Sequence, residues 1–243
     1  GQGDAGDPDG HRPAPAGNRA RSDLTGRSPA ETRPLTRPEM AILAQGLEET
    51  VAGVPCGFQD QLAAIYGGIN VWGWPTGVEH PQFRKKVVVP KKWHKHFEKH
   101  LLVAYCGKPH ISKDINGRWV QQFLAGKFRH LWTDIVSVTQ QFVSALNERN
   151  YALAGKLMNR ETGIRRKMTP DVLDEIGRRL AQSARSHGCG ARFTGAGGGG
   201  CVWALGEIEN IDRLRSLWEE ILSSENEAWL LDIHIDSVGL VVD

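Results

Sequence analysis

One glycine-rich stretch late in the chain limits its fold more tightly than any other. Phe193-Thr194-Gly195-Ala196-Gly197-Gly198-Gly199-Gly200-Cys201 joins a short run at residues 190–194 to the apolar run Cys201-Val202-Trp203-Ala204-Leu205. Both flanks read as strands, which makes the glycines the loop between them. A hairpin turn needs fewer. Four successive glycines cost chain entropy and fit a backbone that must come close to a ligand or to another loop. Inward-pointing N–H groups of such a loop can hold phosphate oxygens. As a string, Gly195-x-Gly197-x-x-Gly200 satisfies the dinucleotide-binding fingerprint, but that fingerprint opens a helix, and here a strand follows. A Walker loop would end in Gly-Lys-Ser/Thr, which this one does not.

Residues 48–68 hold the second concentration of chemistry-bearing side chains. Glu48 and Glu49 lie near the end of a helical pattern, Pro55-Cys56-Gly57 makes a turn, and Asp60 stands between Gln59 and Gln61 ahead of Gly67-Gly68. A single carboxylate among small and apolar residues suits a general base or a metal ligand. It equally suits a helix N-cap, because Leu62-Ala63-Ala64-Ile65 follows as a helical turn. The residues alone leave both open.

The two stretches together resemble the GHMP family of small-molecule kinases, which includes galactokinase, mevalonate kinase and heptose-phosphate kinases. Gly53-Val-Pro-Cys-Gly57-Phe-Gln-Asp60-Gln61 is similar to the segment that carries the family's catalytic Asp. The segment from Gly195 to Cys201 is similar to the late glycine loop beside its active site. Two motifs in the right order are more specific than either alone. The resemblance implies an α+β fold: the C-terminal part of a two-domain kinase, with antiparallel sheets, helices packed on one face and a ferredoxin-like second domain. Residues 35–100 would be the remainder of the nucleotide-binding domain and 101–243 the C-terminal domain.

The resemblance also implies a chemistry, ATP-dependent phosphorylation of a hydroxyl on a sugar or sugar phosphate, with heptose phosphate preferred and galactose second. Phosphoryl transfer asks mainly for positioning, Mg²⁺ and one base near the acceptor. Asp60 takes the base's place, Glu48 (with Glu49 the near alternative) that of the Mg²⁺ ligand, and Gly195, Gly197, Gly198, Gly199 and Gly200 that of the nucleotide-side loop. Cys56, Gly57, Tyr105 and Gly107 fall at positions similar to substrate-binding ones, and Arg160, Arg165 and Arg166 follow in a segment similar to one in heptose-phosphate kinases. The family's P-x-x-x-G-L-G-S-S-type loop, which wraps the nucleotide phosphates, has no counterpart string here, so weak ATP binding and impaired turnover are expected of this polypeptide. A noncatalytic sugar-binding module on the same fold is the alternative.

The rest of the sequence bounds these expectations. Residues 1–34 are rich in Gly, Pro, Arg and Asp, cannot bury much apolar surface, and read as a disordered or non-family segment. A net charge of +2 is too small to argue for nucleic acid or a membrane surface as partner. The four cysteines form no C-x-x-C pair, which predicts free thiols and a cytoplasmic protein. His94, His96 and His100 sit among lysines with the acid misplaced for a zinc motif, so they read as structural. Periodicity predicts helices over 38–51, 131–146, 151–158 and 211–222, and one starting at Thr169-Pro170-Asp171 and running to Gly188. Strands are predicted over 69–74, 85–90, 101–106, 190–194 and 201–205, with a final strand or hairpin over 229–242. The oligomeric state is not legible.

Overall fold

A computed structural model describes residues 33–53, 56–75, 83–109 and 112–241. Residues from Thr36 onward make one compact unit; the tail expected over 1–34 lies outside the described residues except for its last two. Helix α1 (Arg37–Ala52) starts where its sequence dictates. The Thr36 hydroxyl accepts from the Glu39 N–H, the Glu39 carboxylate accepts from the Thr36 N–H at 2.8 Å, and Gly53 stops the helix in the left-handed region at φ 62°. A short helix α2 (Gln59–Tyr66) packs against it, and β1 (Ile69–Gly73) pairs antiparallel with β2 (Arg84–Val89). Then come α3 (His94–Glu98), β3 (Leu101–Cys106), α4 (Ser112–Leu124), α5 (Arg129–Asn147), α6 (Tyr151–Met168), α7 (Glu175–Ser186), β4 (Gly190–Phe193), β5 (Cys201–Leu205), α8 (Ile208–Leu222) and β6 (Ala228–Leu231).

The main sheet is antiparallel in the order β4-β5-β3-β6, so the glycine loop joins two neighbouring strands as the sequence predicts. Alternate residues of β3, Leu102, Ala104 and Cys106, are buried against α7 and α8 together with Ala191, Phe193, Val202 and Ala204. Trp218 is fully buried there, and its indole N–H donates to the Leu180 carbonyl at 3.2 Å and the Ser183 hydroxyl at 3.0 Å, tying α8 to α7. Leu101 and Trp203, on the opposite face, join a second core with α5, α6 and β2. The fold is α+β with antiparallel sheets, as the sequence predicts.

β4 is an edge strand, and α6 closes that edge with side chains. The Asn159 amide donates to the Cys189 carbonyl at 2.9 Å and accepts from the Ala191 N–H at 3.1 Å, while the Thr162 hydroxyl donates to the Ala191 carbonyl at 3.0 Å. Satisfying the free edge in this way leaves no ladder for another chain to extend. Helix and strand approach so closely that a Cβ on Gly190 would lie 2.3 Å from the Gly155 carbonyl oxygen.

Three sequence expectations need correction. Thr169-Pro170-Asp171 opens only a 3₁₀ turn (Pro170–Val172); Leu173 is extended, and α7 starts later, where the Asp174 carboxylate accepts from the Gly177 N–H at 2.7 Å. A better cap five residues downstream wins. Residues 232–241 form no hairpin strand, because their backbone is spent on the end of α2: the Gly68 N–H donates to Asp236 and the Leu240 N–H to Ile65. Residue 242 lies outside the described residues. Asp60 is not the cap of α2, a position held by Phe58 without any side-chain bond.

His94 and His100 are structural, whereas His96 is exposed. His94 is bonded to the Val89 carbonyl and His100 to the Gly206 carbonyl, with the His100 ring stacked on Tyr151 at 3.6 Å. No group of metal-ligating side chains large enough to hold an ion on its own occurs among the described residues, nor is any described helix long and apolar enough to cross a membrane. The α6–β4 contact predicts opposite outcomes for two glycines. Gly190→Ala forces backbone from backbone and should cost about 3 kcal/mol or more. Gly163→Ala, in α6 with open space around it, should gain up to about 1 kcal/mol. Urea denaturation of both variants checks this.

Candidate active site

A cavity of about 640 Å³ opens between α1, α2, α4 and the β4 side of the main sheet. Its polar wall comes from the first motif. Glu48 enters from the last turns of α1, Cys56 and Gly57 from the turn after it, and Gln59 and Asp60 from the start of α2. Asp60 is exposed and lies in the first turn of α2, where the helix dipole favours a negative charge. The Gln61 amide donates to the Glu48 carboxylate and so couples α2 to α1. Glu49 instead accepts from Gln45 at 2.9 Å and does not line the cavity. Of the two adjacent acids the structure turns Glu48 to the site.

The opposite wall is aromatic and basic. Trp119, Val120, Phe123 and Leu124 come from α4 and Trp132 from α5. The Trp119 indole N–H donates to the buried Thr169 hydroxyl at 2.8 Å, so the residue misread as a helix cap sets the angle of a cavity wall. Arg165 from α6 lies over both indoles, 4.5 Å from the Trp119 ring and 4.9 Å from that of Trp132. Arg192 from β4 completes this wall.

Both guanidinium groups are held by one acid. Glu161, 8% exposed, accepts from Arg165 Nε and Arg192 Nε, each at 2.9 Å. Burial alone would push the Glu161 carboxyl up, but the charges and hydrogen bonds of Arg192 and Arg165 hold it below its ordinary value. Two guanidiniums on one carboxylate leave a net positive charge facing the cavity. Sequence reasoning named Arg165 but missed Glu161 and Arg192; the i,i+4 spacing of Glu161 and Arg165 was the available signal, whereas Arg192 is joined to them only by the fold. Arg160 is exposed outside the cavity, and Arg166 faces another groove.

The glycine loop reaches the cavity at Gly195 and Ala196. Beyond that its backbone turns into the protein. The Gly197 N–H donates to Thr194, that of Gly198 to Val172 at 3.0 Å, and that of Gly200 to Lys108 at 2.9 Å. A Cβ on Gly197 would lie 2.3 Å from the Val172 carbonyl, and one on Gly199 would lie 2.8 Å from that of Pro109. The glycines therefore serve close packing against neighbouring loops, and two of their N–H groups are spent there.

Tyr105 and Gly107 do not line the cavity. The Tyr105 ring packs on Trp229, and Gly107, at φ 76°, lets the chain pass the backbone at Glu227 and Ala228. Cys56 does, and burial, with the nearby charge of Glu48, pushes its thiol up, away from nucleophilic character. All four cysteines are free, and burial pushes Cys106 up to about 12.

Residues 142–222 match the family described as GHMP kinases C terminal. The chain is 26% identical over 206 residues to a galactokinase of Roseiflexus sp. (strain RS-1), covering 73% of this chain and 52% of that protein. It is 25% identical over 219 residues to a galactokinase of Pasteurella multocida (strain Pm70), covering 76% of this chain and 55% of the relative. The chain thus spans about half the length of these relatives. Among solved structures, galactokinase of Lactococcus lactis complexed with galactose superposes with a TM-score of 0.61 at 18% identity, over 84% of this chain and 61% of that one.

Because the Glu161 carboxyl is depressed in the folded state, its stabilising contribution is full above the ordinary carboxylate value and is lost as pH falls through the depressed one. Glu161→Gln, which leaves two guanidiniums without their anion, should cost about 3–5 kcal/mol at neutral pH. Its stability should also fall less steeply than that of the parent on acidification. Denaturation midpoints measured from pH 7 to pH 3 check both.

Proposed function

We infer that this chain, which belongs to the GHMP kinases through its C-terminal domain, provides the acceptor side of a site that transfers the γ-phosphoryl group of ATP to a hydroxyl of a sugar or sugar phosphate. One observation carries this reading. Glu48 and Asp60, from separate helices, face the same cavity as a basic clamp and an aromatic wall. In the reaction the acceptor oxygen forms a bond to the γ-phosphorus, the bond to the bridging oxygen breaks with its electron pair leaving on ADP, and the hydroxyl proton passes to Asp60. An exposed carboxylate with no competing side-chain bond among the described residues is suited to that role.

Glu48 fits Mg²⁺, which takes one or two carboxylates and fills its remaining positions with phosphate oxygens and water. Bound there, the ion would neutralise charge developing on the transferred phosphoryl group. Gln61, donating to the Glu48 carboxylate, fixes its orientation. Trp119 and Trp132 offer ring faces to the C–H side of a sugar. The net positive charge of the Arg165–Glu161–Arg192 clamp favours an acceptor that already carries an anion, which supports a heptose phosphate ahead of galactose.

Nucleotide phosphates have no cradle on Gly197, Gly198 and Gly200, whose N–H groups are donated within the protein. We therefore expect weak ATP affinity and slow turnover from these 243 residues alone. The same observation favours a second reading, a noncatalytic module that binds the sugar through the same cavity.

An ADP-release assay with galactose and with heptose phosphate, run beside Asp60→Asn, separates the readings. Catalysis by Asp60 predicts a loss of about 10²–10⁴-fold in turnover, with the sugar-induced rise in Tm retained. Turnover unchanged in Asp60→Asn contradicts the assignment. A sugar-induced rise without turnover in either protein supports the module.

A further inference from the structure

The face of α6 turned away from the cavity carries a second recess that the kinase reading does not use. It has a volume of about 380 Å³ and runs between α6 and α7 over the edge strand β4. That is within the size range of small-ligand sites. Arg166 enters it from α6, and Arg178, Gln182, Arg185 and Ser186 enter it from α7.

The charge in this groove is one-sided. Three arginines line it and no carboxylate does. Arg178 is paired with Glu175 outside the lining. The side chains of Arg166 and Arg185 have neither an ion pair nor a hydrogen bond to a described residue, and both residues are exposed. Helical spacing explains their convergence: Arg178, Gln182 and Arg185 are separated by four and three residues, on one face of α7. Such faces are commonly laced with acids that neutralise them; beyond Glu175, which pairs with Arg178, this one has amide and hydroxyl donors.

The floor is fixed. Thr162 and Ala191 are buried and joined by a 3.0 Å hydrogen bond. The arginines therefore stand around a rigid base formed by the α6–β4 contact. Arg165 and Arg192, neighbours of Arg166 and Ala191 in sequence, project to the other side and line the first cavity.

We propose that the α6–α7 groove is a binding site for a phosphoryl group, distinct from the kinase cavity. A phosphoryl group presents three oxygens to a planar donor fork, the geometry that guanidinium groups match in pairs. Arg166 and Arg185 make the charged contacts, and Gln182 and Ser186 supply neutral donors beside them. The group comes either from the free ion or from an ester of a small organic molecule, and the recess has room for the ester. This assignment stands independently of the reaction proposed for the first cavity.

The test is a thermal-shift titration of the whole chain with sodium phosphate and with glycerol 3-phosphate, at constant ionic strength set by sodium chloride. The site predicts a saturable rise in Tm of a few degrees that is absent in Arg166→Gln/Arg185→Gln. It is retained in Arg160→Gln/Lys167→Gln, which removes the same charge from α6 outside the groove. A larger rise with glycerol 3-phosphate identifies an ester as the ligand, and an equal rise identifies the free ion. No saturable rise in the parent, or an equal rise in both double variants, overturns the proposal.

Discussion

The backbone contact between α6 and β4 is the constraint on which the rest of this structure depends. Gly155 and Gly190 permit it sterically, and Asn159 and Thr162 fasten it by taking up the polar groups of an edge strand. A pair of elements held that tightly gives side chains on either side little freedom. Glu161 and Arg165 on the helix meet Arg192 on the strand at 2.9 Å because the backbones beneath them cannot drift apart. The charges and hydrogen bonds of both guanidiniums offset the cost of burying the Glu161 carboxylate. The cavity's basic wall is thus a consequence of two glycines that never touch it.

The acid wall is built differently. Glu48 and Asp60 sit towards the ends of two helices, α1 and α2, whose own core is small: Ala41, Leu62 and Ile65, with aromatic rings packed around them. The coupling of Gln61 to Glu48 and the docking of residues 236–240 on the end of α2 supply what that core lacks. One side of the site is therefore rigid and the other rests on a few contacts. This division suits the proposed reaction, in which the acceptor must be held while the phosphoryl donor enters and leaves.

Much of the fold was legible in the sequence where local signals agree. The Thr36–Glu39 capping box, the apolar run of β3 and the apolar flanks of the glycine loop each specify an element without tertiary help. Legibility failed where two local signals compete or where a partner is distant. Thr169-Pro170-Asp171 reads as a helix start, but the Asp174 cap downstream sets where α7 begins. Residues 232–241 alternate like a strand but have a better use for their backbone at α2. Within the site, Asp60, Glu48, Cys56, Gly57 and Gly195 come together as the motifs suggested, whereas Tyr105 and Gly107 face β6. Four glycines in a row announced a close approach; the sequence could not say that the approach is to Val172 and Pro109.

The central claim is that the cavity between α2 and α4 is the sugar site. Calorimetric titration of a sugar phosphate into Trp119→Ala and Trp229→Ala tests it most directly, since Trp119 lines that cavity and Trp229 packs on Tyr105 outside it. The account predicts that binding is lost in Trp119→Ala and unchanged in Trp229→Ala. Binding that survives the first substitution and disappears with the second would place the sugar on the β3–β6 side and contradict it.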